Sequence, residues 1–357
     1  MANRPATDAL PGEATPVDRS ERAFWQLLVR EASRRAVLPL VVSGFFVAAL
    51  FLNPAFNLAE LGRALAAANY LWLAPAVAVF FLAVWLRAVR WSLLLRPMAT
   101  IPARRLFPVL VLGFAANNVL PVRAGELVRA HELHRREQIS RTASLATILV
   151  ERVFDGLSLL FLIGAVSLAV PLADWFAYVL RAGAVLFLGA LATTVALALG
   201  GRHSLAVVQW AARRLPGRVG PRVEELARLF LEGLAGLRRP DLLVLVALTS
   251  LAAWVVESGV YLLVFGAFGI GVPAFVALLV NSTANLAITL PSSQGGIGPF
   301  EFFAAQTLIA FGVPDDTATA YAFVAHATVL LPVIPLGGWI LWRSLRQPQS
   351  SRAKPGL

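Results

Sequence analysis

Residues 281–306, N-S-T-A-N-L-A-I-T-L-P-S-S-Q-G-G-I-G-P-F-E-F-F-A-A-Q, decide how this chain is read. An otherwise apolar region is interrupted there by Asn281, Asn285, Pro291, Gln294, the run Gly295, Gly296 and Gly298, and Glu301. Backbone opened inside hydrocarbon must find polar partners or line a wet cavity, so this is no ordinary membrane helix and its break is expected to be functional. Residues 117–126, N-N-V-L-P-V-R-A-G-E, repeat the order Asn, Leu-Pro, Gly and Glu in compressed form. Matching interruptions in two halves of a chain predict a binding site built from broken helices.

Composition sets the class in which those breaks are interpreted. Hydrophobic residues make up 58% of the chain and charged residues 14%, with a mean hydropathy of +0.73. A soluble domain is roughly 45 to 50% apolar, so the expectation is an integral membrane protein. The 357 residues leave room for several helices of about 20 residues and little for a soluble catalytic domain. The net charge of +11 is almost all arginine, because Lys354 is the only lysine. Most of these arginines sit between apolar runs, where they set orientation and meet anionic lipid; no nucleic-acid partner is expected. The absence of cysteine excludes disulfides, thiolate metal sites and a cysteine nucleophile.

Flanking arginines give an expected topology. A polar leader, 1–35, carries Pro5, Pro11 and Pro16 and reads as disordered and cytoplasmic. The first apolar run begins only at Val37, behind Arg30, Arg34 and Arg35, so 37–53 reads as an uncleaved span rather than a signal peptide. A second span, from Leu71 to about Leu86, returns to Arg87, Arg90, Arg96, Arg104 and Arg105, with Trp85 and Trp91 as interfacial anchors. The run 106–122 has basic residues on both sides, and a full crossing would place Arg135, Arg136 and Arg141 outside. It therefore reads as re-entrant: eleven helical residues, Leu106 to Ala116, reach roughly 16 Å and bring Asn117, Asn118 and Pro121 near the midplane.

Further spans are expected at about 143–170, 178–200, 242–268 and 319–342, with an amphipathic inner-surface helix in the linker 201–240. Its apolar stripe is Val223, Leu226, Phe230, Leu234 and Leu237. Segment 274–313 must then be re-entrant from the outer face, which makes 71–170 and 242–342 inverted repeats. The expected fold is thus an all-α integral membrane protein, 36–345, with six full transmembrane helices, two oppositely oriented re-entrant elements and a cytoplasmic tail, 346–357.

Several polar residues are candidates for contact with a substrate. Glu151 and Asp155 lie four apart on one helix face, with Arg152 beside them, well inside an apolar span. Such charges are costly in lipid, so they need a partner or a cavity, and a structural ion cluster explains them as well as ligand contact does. Glu257, near the middle of its span, is a functional candidate by default. Arg123, Glu126 and Arg129 also fit a solvated basic rim at the inner surface, Arg129 best of all. Gly295, Gly296 and Gly298 suit either close helix packing or phosphate contact. A helix restarting at Pro299 would point free N–H groups at an anion, and Glu301 in its first turn would stabilise it even without ligand. His131, Glu132 and His134 lack the H-E-x-x-H spacing of a zinc protease, and no metal or cofactor is expected. His326 reads as a hydrogen-bonded core histidine.

The ordered set R-A-V-R-W (87–91), N-N-V-L-P-V-R-A-G-E-L-V-R (117–129), V-E-R-V-F-D (150–155) and L-P-S-S-Q-G-G-I-G-P-F-E (290–301) resembles the flippase-like, lysylphosphatidylglycerol synthase transmembrane-domain family over about residues 37–345. The resemblance implies a bacterial or archaeal inner-membrane protein related to the flippase part of the multiple peptide resistance factor, which moves aminoacylated phosphatidylglycerol between leaflets. The 357 residues leave no room for that protein's soluble aminoacyl-transferase domain, so transport rather than lipid synthesis is expected.

Three classes of function follow. A lipid transporter accounts for the broken helices, the inverted repeat and the buried charges together. A membrane-embedded transferase could use Glu151, Asp155 or Glu257 as a base, but no nucleophile or metal set accompanies them. A scaffold could recruit a separately encoded glycosyl- or aminoacyl-transferase through the basic segments. For the transporter, the expected cavity is shared by Asn117, Asn118, Asn281, Asn285 and Gln294. Anionic phospholipid or a lipid-linked head group is the expected partner.

Overall fold

Arginines and carboxylates buried in apolar helices dictate which helix faces meet, and the fold follows from those meetings. The computed structural model describes residues 37–52, 56–120, 124–217, 219–290 and 292–346. The leader 1–35, nearly all of the tail, and Pro121, Arg123 and Pro291 lie outside the described residues. The described residues form helices and connecting turns, with no strand among them.

Helix α1 spans Val37–Phe51, α2 Leu58–Ala67, α3 Leu73–Leu95, α4 Ala103–Val119, α5 Gly125–Glu137, α6 Arg141–Ser167 and α7 Asp174–Gly200. There follow α8 (Arg202–Ala212), α9 (Val219–Gly233), α10 (Pro240–Phe268), α11 (Phe275–Ala287), α12 (Pro299–Ile309), α13 (Asp315–Leu330) and α14 (Val333–Arg346). Four stretches, Tyr70–Leu95, Asp174–Gly200, Pro240–Phe268 and Asp315–Ser344, are long and apolar enough to cross a membrane. Helix α6 is as long as α7, but Glu151, Arg152 and Asp155 set it apart from those four. The described part of α1 is 15 residues, about 22 Å at 1.5 Å per residue.

Helices α3 and α10 pack against each other more extensively than any other pair. They run antiparallel: Asn69 N–H donates to Ala267 O at one end, Arg87 pairs with Glu257 further along, and Arg90 reaches Ser250 beyond that. Helices α4 and α5 form a hairpin whose two open ends are held together by Arg105 and Glu137, 2.9 Å apart. At its tip Asn117 Oδ1 accepts from Gly125 N–H at 2.8 Å, capping α5. Helices α11 and α12 form a second hairpin, joined by the hydroxyls of Thr283 and Thr307 at 2.8 Å and by Phe275 against Phe311 at its open end. The first hairpin follows the C-terminal end of α3 and the second the C-terminal end of α10. Because α3 and α10 are antiparallel, the hairpins enter from opposite ends and their tips meet between them. Asn118 Nδ2 donates to Leu330 O, and Gly295 lies beside Asn118.

Four readings of the sequence are corrected. Helix α3 does not end near Leu86 but runs to Leu95, which buries Arg87, Arg90 and Trp91 instead of leaving them at an interface. These residues share a face with Phe80, Ala83 and Val84, and carboxylates on α6 and α10 neutralise the arginines there. Trp91 Nε1 donates to Thr147 Oγ1 at 3.0 Å. Helix α4 does not stop at Ala116; it continues to Val119, because the amides of Asn117 and Asn118 find partners without unwinding the backbone. The last apolar stretch is interrupted at Leu331 and Pro332, where proline removes a helical N–H, and Asn118 donates to the carbonyl of Leu330 at the break. The amphipathic helix expected within 201–240 is α9, which ends at Gly233 instead of running on through Leu237, and α8 before it is tied to it by Gln209 Nε2 donating to Glu224 Oε1 at 2.6 Å. Leu234 and Leu237, the end of the expected stripe, are buried after α9 has ended.

Candidate functional site

The helix faces that carry charge converge on a network of four arginines and four carboxylates. Arg90 on α3 forks onto Asp155 on α6, with N–O distances of 2.5 and 3.3 Å, and approaches Glu151 at 3.5 Å. Arg129 on α5 pairs with Glu151 at 2.6 Å and stacks over Trp91, 4.2 Å from the ring centroid. Arg87 pairs with Glu257 and stacks over Trp254, whose indole N–H donates to Asp155 at 2.9 Å. Arg152 on α6 meets Glu126 on α5 at 2.9 Å and Asp155 at 3.7 Å. The eight charges cancel, which is what allows them to be buried together.

The pairs differ sharply in access. The side chains of Arg90, Arg129, Glu151, Arg87 and Glu257 are all less than 10% exposed. Arg152 and Glu126 are 43% and 41% exposed. That exposure faces a cavity of about 400 Å³ between the two hairpin tips. Its polar lining is Arg87, Asn117, Asn118, Glu126, Arg152, Asp155, Glu257, Asn285, Gly295 and His326. Phe80, Phe114, Leu159, Phe187 and Val329 supply apolar wall. The cavity is therefore amphipathic, with one half-open ion pair over a closed ion network.

The remaining sequence candidates lie around the cavity rather than in its lining. Asn281 is fully buried in α11, where its Nδ2 donates to Trp254 O and Ser258 Oγ, both at 2.9 Å. Asn285, one turn later, donates to Asn281 Oδ1 at 2.8 Å and reaches the Tyr261 hydroxyl. Glu151 is closed inside the network between Arg90 and Arg129, Gln294 and Gly296 form the second tip, and Arg123 lies outside the described residues. Arg129 is no solvated rim residue: it is 3% exposed, because Glu151 and the Trp91 face offer it a partner inside the fold.

The second tip is built from backbone that only glycine adopts easily. Gly298 has φ +100°, and a Cβ there would lie 2.6 Å from the carbonyl oxygen of Ser43 on α1. Ser43 Oγ donates to Ile297 O at 2.6 Å and accepts from Ser293 N–H at 2.8 Å, so α1 holds both flanks of the turn. Glu301 caps α12 by accepting from Gly298 N–H at 2.7 Å; glycine has no side chain to return the bond. The other Glu301 oxygen lies 2.6 Å from His326 Nδ1, and His326 Nε2 lies 3.1 Å from Gly295 O. Phe300 stacks on the imidazole at 3.9 Å. Among the described residues no group of three His, Asp or Glu side chains could hold a metal ion.

Sequence reasoning missed Arg87, His326 and Ser43 as parts of this site. Arg87 and Arg90 could have been found by asking which cations neutralise Glu151, Asp155 and Glu257 inside apolar helices. Ser43 gave no signal, since a lone serine in an apolar run is ordinary.

A sequence profile described as the lysylphosphatidylglycerol synthase TM region matches residues 36–337, a range that holds both hairpins and the whole charge network. The chain belongs to that family. The chain is 29% identical over 355 aligned residues to glycosyltransferase AglD of Haloferax volcanii, covering 89% of this chain and 56% of that protein. The chain thus spans little more than half the length of that relative. A UPF0104 membrane protein of Methanothermobacter thermautotrophicus is 30% identical, with 67% of this chain and 75% of the relative covered. A second UPF0104 membrane protein of the same organism is 26% identical over 77% and 84% of the two chains. No solved structure matches the chain. Family and apolar helices together make this a multi-pass membrane protein.

Proposed function

We propose that this protein moves a phosphate-bearing lipid between the leaflets of a cell membrane, passing the head group through the cavity while the acyl chains stay in the bilayer. The observation that carries the reading is the half-open Arg152–Glu126 pair above a closed, charge-balanced network. A charged head group crosses hydrocarbon only if fixed polar groups replace its water. Arg152, half exposed to the cavity, is within reach of a phosphate entering it, and Glu126 is released to meet a cationic or hydroxylated part of the head group. The apolar wall suits the glycerol and first methylenes. Rocking one repeat against the other opens the cavity to each side in turn.

In this reading both hairpins are re-entrant, six helical passages complete the crossing, and both termini are cytoplasmic. The Arg105–Glu137 bridge at the open end of the first hairpin supports it. Cysteines introduced one at a time into this cysteine-free chain at Arg104 and Arg141, which flank that hairpin, are expected to react with an impermeant thiol reagent from the same, cytoplasmic side. Ala274→Cys is expected to react from the opposite side. Labelling of Arg104→Cys and Arg141→Cys from different sides would refute the re-entrant assignment.

The name of the Haloferax relative favours a head group that a glycosyltransferase has modified, so a lipid-modifying transferase is the proposed partner. The decisive experiment is reconstitution of the purified protein in liposomes with a panel of labelled lipids. Accelerated movement is expected for phosphate-bearing lipids and not for uncharged diacylglycerol. Equal rates with and without protein for every lipid would end the proposal.

A further inference from the structure

The second hairpin tip is closed by a buried histidine–carboxylate pair that the lipid pathway does not require. His326 and Glu301 are 4% and 2% exposed. His326 Nε2 faces a carbonyl oxygen, Gly295 O, which has no hydrogen to offer, so Nε2 carries a proton. His326 Nδ1 and Glu301 Oε1 are 2.6 Å apart, a contact that holds only with a proton between them. It matters little which of the two atoms owns it: the pair binds one proton and is neutral overall. Glu301 Oε2 remains free to accept from Gly298 N–H.

This count fixes what happens when the proton is lost. Lone pairs on Nδ1 and Oε1 then face each other, and relief requires the imidazole to move its remaining hydrogen from Nε2 to Nδ1. The bond to Gly295 O is lost with that change. A second proton has the opposite effect, occupying a carboxylate oxygen and removing the cap on Gly298. Only the singly protonated pair holds both ends of the turn 295–298 against α13.

Among the described residues no other titratable group has a hydrogen bond or ion pair with His326 or Glu301. From α10 come Tyr261, whose ring lies 6.3 Å from Phe300, and Glu257, already closed on Arg87 of α3. Tyr321 on α13 donates to Tyr261 O. Glu126, Arg152 and Asp155, which also line the cavity, are engaged with one another and with Arg90. Helices α1 and α11 have no titratable residue in their described lengths. His326 lines the cavity, which gives its proton a route out.

We propose that Glu301 and His326 form a proton-binding site, and that binding and release of one proton there clamp and free the 295–298 turn, coupling lipid movement to a proton gradient. Release transfers the shared proton to water in the cavity, and uptake from water on the other side restores it. The coupling rests on the lipid-moving reading above; the proton site does not.

Two measurements on the full chain test the two halves. In nanodiscs containing histidine labelled with nitrogen-15, the His326 signals are identified by their loss in His326→Gln among the four histidines. They are expected to respond to pH, and to respond differently in Glu301→Gln, because the Nδ1 partner is then an amide that shares no proton. A ring whose signals do not respond to pH, or respond identically in Glu301→Gln, overturns the site. In liposomes with labelled phosphatidylglycerol, a gradient of one pH unit is expected to shift the steady-state ratio between leaflets by up to about tenfold, the full value for one proton per lipid. His326→Gln is expected to abolish that shift. Movement to an equal distribution despite the gradient overturns the coupling and leaves the lipid pathway standing. Absence of any movement of the panel lipids removes the pathway and the coupling together, while a titrating His326 still establishes the proton site.

Discussion

Replacing Arg90 with methionine is expected to destabilise the protein by about 3 kcal/mol or more, the largest loss from any single change in the network. Methionine fills much of the arginine's volume, so the loss is chiefly electrostatic. Arg90 is 2% exposed and forks onto Asp155 while neutralising Glu151 from a second side. Without it Asp155 keeps the Trp254 N–H and the distant Arg152 guanidinium, and a buried carboxylate is left without its principal cation. The double replacement Arg90→Met with Asp155→Asn is expected to recover more than half of the loss, since asparagine still accepts from Trp254 without a charge. Thermal unfolding in detergent micelles reads both values. A loss below about 0.5 kcal/mol for Arg90→Met would show that water or lipid head groups reach the network, contrary to its burial.

Arg152→Ala is expected to leave stability within about 1 kcal/mol, because its pair with Glu126 is half exposed and such pairs contribute little. Its effect falls on transport. An arginine hydrogen-bonded to phosphate is worth about 2 kcal/mol or more, so labelled-lipid movement in liposomes should fall by about thirty-fold or more. Arg152→Lys keeps the charge and loses the fork, and should recover part of the rate. Parental rates in a properly folded Arg152→Ala protein would make the residue structural and would close the proposed route. The contrast between Arg90 and Arg152, neighbours in one network with opposite expected effects on stability and transport, follows from a single difference: which of the two faces the cavity.

Much of the site was legible because membrane chemistry penalises polar residues so heavily. Asn117, Asn118, Glu126, Arg152, Asp155, Glu257, Asn285 and Gly295 stood out in an apolar chain, and all of them border the cavity. Glu301 was recognisable as a first-turn acid, and it does cap its helix. Arg87, Arg90 and Trp91 were misread for an equally physical reason. An arginine beside a tryptophan at the end of an apolar run looks like an interfacial anchor, and local sequence carries no sign of carboxylates arriving from residues 151, 155 and 257. Arg129 was misread in the same way.

The sequence by itself determined that the chain is an all-helical, multi-pass membrane protein, that its apolar runs break at two related places, and which polar residues would have to be accounted for. Those properties are local or compositional: they follow from hydropathy, proline, glycine and the cost of charge in hydrocarbon. Only the tertiary structure decided which of those polar residues satisfy one another and which remain open. Pairing is a property of distance in space, and Arg90 meets Asp155 across 65 residues, Arg87 meets Glu257 across 170, and Ser43 meets Ile297 across 254. Asn281 closes onto α10, Glu301 and His326 close on each other, and Arg152 with Glu126 faces the cavity, because helix packing rather than residue type sets what each side chain can reach.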